Sequence, residues 1–141
     1  MKALGYGGLI PFIGGSVGMV MGWQTRPTME LALTAYGAVI LSFMSAIWWG
    51  LGLTDGGLRD RLALWAVIPA LLAWLSVLWG GALGLIGQAL LFAVLLVVDK
   101  ALARETELTL AYTPGYMIMR RNLTVAACLC LTIAGVNLSL G

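Results

Sequence analysis

The longest uncharged stretch of the chain constrains its fold most. Residues 62–98 form a run of 37 residues without a charged side chain. A helix needs about 20 apolar residues to cross the hydrocarbon core of a bilayer, so this run is too long for one crossing and suits two. Gly80 and Gly81 lie near its middle and would form the turn. The run therefore predicts a transmembrane helical hairpin.

The composition extends this interpretation to the whole chain. Charged residues are 10% of the sequence and hydrophobic residues are 61%, whereas soluble domains carry about 25% charged residues to wet their surface. We therefore expect an all-α, polytopic membrane bundle that forms one domain over residues 1–141. Its five predicted transmembrane helices cover about residues 4–23, 31–53, 62–79, 82–98 and 117–140. The segment 99–121 is expected to be a cytoplasmic loop.

The basic residues indicate an orientation, because cytoplasmic segments of membrane proteins are enriched in lysine and arginine. In a five-helix arrangement, Arg26 lies on the side of the C-terminus. The side that holds the N-terminus receives the other seven: Lys2, Arg59, Arg61, Lys100, Arg104, Arg120 and Arg121. The sequence thus predicts a multi-pass protein of the bacterial inner (cytoplasmic) membrane, with its N-terminus cytoplasmic and its C-terminus outside.

Several kinds of chemistry lack the residues that they need. Histidine is absent, which removes the commonest general base and the imidazole ligands of haem and metals. Cys128 and Cys130 would point roughly 200° apart on a helix, so they do not form a CxxC redox pair. We expect no charged residue at mid-membrane depth, where pumps and carriers place their ion sites. The net charge of +2 does not indicate a nucleic-acid partner. The sequence predicts no enzyme, no catalytic residue, no metal site and no cofactor of its own.

Glycines spaced by four residues indicate close helix contacts. Gly14, Gly18 and Gly22 share one face of the first predicted helix, and Gly80 and Gly84 begin the fourth. Such small-residue faces let two helix backbones approach closely in lipid. The partner helix could belong to this bundle or to another subunit, and the pattern does not distinguish these two.

A polar and aromatic group on the second predicted helix is a candidate pocket for a hydrophobic ligand. It contains Ser42, Ser45, Trp48 and Trp49, and Pro69 would kink the neighbouring third helix. Hydroxyl groups beside an indole could hold a quinone, a lipid head group or the edge of a pigment. Serines in helices more often bond to their own helix carbonyls, which is the structural alternative.

Charged residues mark both ends of the predicted 99–121 loop. Asp99 ends the fourth predicted helix, and Arg120 and Arg121 begin the fifth. All three would lie at the inner interface, where we expect at least one ion pair. Extension of the charged groups to water is the alternative.

A series of motifs covers most of the chain. They are LGYGGLIPF at 4–12, AYGAVILSF at 35–43, Trp49-Gly50, Ile68-Pro69, Leu72-Ala73-Trp74 and RRNLT at 120–124. In these motifs the chain resembles the transmembrane protein 69 family, which carries domain of unknown function 3429. Trp48 occupies a position where that family often has histidine, so a histidine-dependent role does not carry over. The resemblance implies a small multi-pass protein of an energy-conserving inner membrane and implies no chemistry.

Two functions are compatible with these features. The first is a non-catalytic accessory or structural subunit, or an assembly partner, of a larger respiratory or photosynthetic inner-membrane complex. In that case the partners are the lipid bilayer and other membrane subunits. The second is a binder or carrier of a hydrophobic ligand such as quinone or lipid.

Reporter fusions test the predicted threading. A reporter fused after Gly141 should lie outside the cytoplasmic membrane, and a reporter placed after Lys2 should lie in the cytoplasm. Reporter activity on one and the same side from both positions would contradict an odd number of crossings.

Overall fold

The protein is a bundle of helices. The computed structural model describes residues 2–23, 25–53, 59–105 and 114–140. Its helices are α1 (Lys2–Gly7), α2 (Ile10–Met21), α3 (Arg26–Gly52), α4 (Arg59–Trp79), α5 (Gly81–Glu105) and α6 (Pro114–Leu140). In the described ranges, α3 to α6 supply four segments that are long and apolar enough to cross a membrane. The prediction of a polytopic helical membrane bundle is therefore confirmed.

The first predicted span, residues 4–23, is divided between two helices. Gly8 and Leu9 separate the 6-residue α1 from the 12-residue α2. At this break the hydroxyl of Tyr36 on α3 donates a hydrogen bond of 2.9 Å to the carbonyl of Gly8. α2 ends at Gly22, whose φ of 67° is accessible to glycine without steric cost. The expectation of one continuous helix was therefore wrong here.

Most of the predicted loop 99–121 is helical. α5 continues through Asp99 to Glu105, and α6 begins at Pro114, where a proline in the first helical position removes no needed hydrogen bond. Residues 106–113 lie outside the described residues. The loop was predicted from the positions of the charged residues. A charged residue interrupts an apolar run of sequence, but it does not by itself end a helix. The prediction of a loop over the whole of 99–121 was wrong for this reason.

The helices are arranged as two hairpins with α2 added on one side. α3 packs along α4, α5 packs along α6, and α2 lies against α3 and α6. The turn between α4 and α5 is formed by Gly80 and Gly81, with φ values of 60° and 59°, as the glycine pair predicted. The carboxylate of Glu30 on α3 accepts a hydrogen bond from the backbone N–H of Gly81, which ties this turn to α3.

An apolar core joins α2, α3, α5 and α6, and α4 contributes Ala73 to it. Phe12 of α2 lies at its centre, with ring centroids 5.1 Å from Tyr36 and 5.8 Å from Phe92 in edge-to-face geometry. A polar residue, Gln88 of α5, is fully buried nearby. Its Nε2 donates to the carbonyl of Thr34 at 2.7 Å and to the hydroxyl of Ser76 at 3.0 Å. Gln88 thus connects α5 to both α3 and α4.

Gly37 on α3 makes room for the Gln88 side chain. A Cβ atom at position 37 would overlap Oε1 of Gln88, because this oxygen lies directly against the Gly37 backbone. Oε1 has no hydrogen-bond partner among the described residues. A side chain at position 37 would therefore displace the Gln88 amide, which is held by hydrogen bonds to Thr34 and Ser76.

We predict that Gly37→Ala destabilises the bundle, while Gly50→Ala on the same helix does not. Overpacking a buried contact costs about 1–3 kcal/mol, whereas a Cβ at Gly50 meets nothing within 4 Å. Alanine is also the better helix former, so Gly50→Ala should be neutral or slightly stabilising. Thermal unfolding in detergent, followed by near-ultraviolet circular dichroism, measures both. Equal unfolding temperatures for the two variants would contradict the role of Gly37.

Candidate functional site

A buried ion pair connects α5 and α6. The Nε of Arg120 on α6 donates to Oδ2 of Asp99 on α5. The two side chains are 4% and 1% exposed, so neither extends to water. The expected ion pair between Asp99 and Arg120 is present, and it is buried between the helices. Arg121 takes no part in it, since its side chain is exposed and donates to Asn122.

Three further hydrogen bonds surround this pair. The indole N–H of Trp48 on α3 donates to Oδ1 of Asp99 at 2.6 Å. Arg120 donates through Nη1 to the hydroxyl of Tyr116 and through Nη2 to the carbonyl of Met44, each at 3.0 Å. Removing a charged group from water costs several kcal/mol, and only good geometry with added hydrogen bonds offsets this cost. The network supplies those bonds and joins α3, α5 and α6.

The spacing of the buried residues along α5 and α6 is a sequence pattern that could have predicted this pair. Asp99 continues a buried stripe of α5 at alternating steps of three and four residues. The stripe consists of Leu85, Gln88, Phe92, Leu95, Asp99 and Leu102. Arg120 begins the corresponding stripe of α6, followed by Thr124, Ala127, Leu131 and Ala134. Reading these stripes through the charged residues would have placed Asp99 and Arg120 on the inner faces.

A cavity of about 470 Å³ lies beside the ion pair. It is enclosed by α1 and α2, by α3 and α6, and by one residue of α5, Phe92. Arg120 and Tyr116 are the polar side chains among its lining residues, and the rest of the wall is apolar or glycine. Phe43 also lines it and is 72% exposed. The cavity therefore reaches the outer surface of the bundle, which faces lipid in a membrane.

The group predicted as a ligand pocket lies elsewhere, and none of its members lines this cavity. Ser42 and Ser45 donate to the carbonyls of Ala38 at 2.8 Å and Ser42 at 3.1 Å, which is the structural alternative stated above. Trp49 is half exposed, and Pro69 is buried within α4. Trp48 contacts Asp99 behind the cavity wall. Other residues of α3 line the cavity.

The predicted docking glycines occupy three kinds of position. Gly84 packs inside the bundle, where a Cβ would lie 2.5 Å from the Ser76 carbonyl oxygen of α4, and Gly18 packs close to Met29 of α3. Gly80 forms the turn, and Gly22 forms the end of α2. Gly14 differs from these, since it is exposed and a Cβ there would meet nothing within 4 Å. Of the five, Gly14 is the one that offers an open helix face.

The cavity lining contains two polar side chains, Arg120 and Tyr116. They lie beside apolar walls, which make up nearly all of the lining surface. Within residues 2–23, 25–53, 59–105 and 114–140, no three histidine, cysteine, aspartate or glutamate side chains are grouped to hold a metal ion. The arrangement fits recognition of an apolar molecule with one polar end.

We predict strong coupling between the two charged residues. Asp99→Leu or Arg120→Met alone should lower the free energy of unfolding by about 3–5 kcal/mol, because each leaves a buried charge without its partner. The double variant should lose much less free energy of unfolding than the sum of the losses in the two single variants. Unfolding of all four proteins in detergent completes the double-mutant cycle, with Asp60→Leu at an exposed position as the control. Additive losses in the double variant would show that the pair does not act as a unit.

Comparison with known proteins agrees with the helical membrane bundle. Residues 1–136 match the family described as protein of unknown function (DUF3429). The chain is 33% identical over 141 residues to transmembrane protein 69 of Xenopus tropicalis, an alignment that covers 96% of this chain and 53% of the frog protein. The chain thus spans about half the length of this curated relative. No solved structure matches. With a match that covers nearly its whole length, the chain belongs to the DUF3429 family.

Proposed function

We propose that this protein binds a hydrophobic small molecule, such as a quinone or a lipid, in the cavity beside Arg120. The observation that supports this best is the cavity itself, about 470 Å³ in volume with apolar walls and one polar end. Small-molecule sites are typically concave, mostly apolar and about 300–1,000 Å³ in volume, with a few polar groups that fix the ligand's orientation. The cavity has each of these properties.

The order of residues along α6 gives the cavity a direction. Tyr116 and Arg120 line one end, and Ala127 lines the other. With a rise of about 1.5 Å per residue, these positions span roughly 16 Å. This length suits a ring or head group together with a short apolar chain.

The position of the ion pair also supports a functional site. Ionisable side chains within membrane-spanning segments are rare because they are costly, and they commonly mark binding sites or transport pathways. Asp99 and Arg120 lie within two of the candidate spans, Gly81–Arg104 and Gly115–Leu140, each five positions from one end. Arg120 reaches the cavity wall, so the costly residue is also the one in position to contact a ligand.

We predict that Leu123→Trp removes the bound molecule and that Val125→Trp does not. Leu123 lines the cavity, so the larger indole would fill it. Val125 is on the same helix but is 51% exposed on the outer face. Native mass spectrometry of protein purified from its own membrane in mild detergent measures the ligand-bound fraction. Wild-type protein without any bound small molecule, or equal occupancy in the two variants, would contradict the proposal.

As a second proposal, we infer that this protein is an accessory subunit or assembly partner of a larger respiratory or photosynthetic inner-membrane complex. Its specific support is Gly14, exposed on α2 beside Ile13 and Val17, which are 52% and 39% exposed. Such a face suits a close helix–helix contact in lipid. The same mass spectra distinguish the proposals. A subunit that co-purifies with wild type and is lost from Gly14→Leu supports the second, and a lone chain with a ligand supports the first.

A further inference from the structure

We propose that the polar end of the cavity selects a neutral oxygen acceptor, such as the carbonyl of a quinone or of an uncharged ester lipid, over an anionic head group. This inference depends on the proposed binding of a hydrophobic ligand in the same cavity. It adds the chemical class that the site recognises.

The first step concerns hydrogen-bond capacity. A guanidinium group has five N–H donors and no acceptor. Arg120 uses three of them on Asp99, Tyr116 and Met44. This leaves two N–H donors on a side chain that lines the cavity. An oxygen that accepts hydrogen bonds is therefore favoured there over a hydrocarbon end, which would leave those donors unsatisfied.

The second step concerns charge. The positive charge of Arg120 is already matched by Asp99, whose other oxygen accepts from Trp48. A carboxylate or phosphate in the cavity would bring a further negative charge into an apolar site with no cation left to balance it, which is costly. An ammonium group would meet the positive member of the pair, since Arg120 lines the cavity and Asp99 does not. A neutral carbonyl avoids both penalties.

The third step concerns the opposite end of the cavity. Phe12 and Phe92 pack edge to face there, while Phe43, next to Met44, lines the opening to lipid nearer the Arg120 end. These rings offer flat apolar surfaces to an aromatic or polyene group, and no charged side chain is among the lining residues at that end. The whole cavity thus fits a molecule with one acceptor end and one hydrocarbon end.

Four probes test this inference on the full chain in phosphatidylcholine nanodiscs. Decylubiquinone and dioctanoylglycerol carry neutral carbonyls, oleate carries an anion, and dodecylbenzene carries no acceptor. We expect at least one neutral carbonyl probe to bind about tenfold more tightly than oleate and dodecylbenzene, a difference of about 1.4 kcal/mol. The tighter of the two carbonyl probes identifies a quinone or an ester lipid as the source of the acceptor.

A change of charge at position 99 should reverse the selection. Asp99→Asn keeps an oxygen that can accept from Trp48 but removes the negative charge that matches Arg120, so the affinity for oleate should rise about tenfold or more relative to decylubiquinone. Asp60→Asn is the matched control, at an exposed position of α4, and should leave the ranking unchanged. The ranking on the wild-type protein decides the matter even where Asp99→Asn does not fold.

The outcomes distinguish the selection of a neutral acceptor from ligand binding itself. Wild-type protein that binds oleate or dodecylbenzene as tightly as the carbonyl probes, with binding lost in Leu123→Trp, overturns the selection of a neutral acceptor and leaves ligand binding intact. Failure of all four probes to bind above the background of empty nanodiscs overturns both.

Discussion

The structure depends on keeping two opposite charges out of water. Asp99 and Arg120 are each almost completely buried, and neither would be stable inside an apolar bundle without the other. Their hydrogen bonds to Trp48 and to the Met44 carbonyl require α3 to be in place as well. The pair therefore forms only when α3, α5 and α6 have the correct register. In lipid, where helices gain no hydrophobic driving force from associating, this requirement favours one arrangement of the three helices.

A second polar connection lies at another depth of the same helices. Gln88 on α5 bonds to Thr34 and Ser76, and its oxygen occupies the space left by Gly37. Eleven residues separate Gln88 from Asp99, which corresponds to roughly 16 Å along α5. Polar contacts thus hold the register of α3 against α5 at two levels. Phe92 lies between these levels on α5 and lines the cavity, so a space can persist there without loosening the rest of the bundle.

The sequence predicted the parts of this fold that depend on average polarity. Apolar runs identified the membrane-spanning helices, and Gly80 with Gly81 identified the turn between α4 and α5, because both signals are local. The break at Gly8 and Leu9 was missed, since hydropathy does not change there. The ligand pocket was predicted at Ser42 and its neighbours because their hydroxyl groups could bind a ligand. The wall of the cavity is instead almost wholly apolar. The contact between Trp48 and Asp99, 51 positions apart, follows from helix packing that no local pattern specifies.

Stability and the proposed ligand selection involve the same carboxylate. A lone arginine in the cavity wall would attract anions, and its own burial would be strongly unfavourable. Asp99 offsets that burial and at the same time neutralises the charge of Arg120, which lines the cavity. In the proposed site, a bundle that needs Asp99 in order to fold would thereby offer a ligand donors without net charge. The requirement for a folded membrane bundle and the preference for a neutral acceptor are consequences of one interaction, so a substitution at Asp99 alters both.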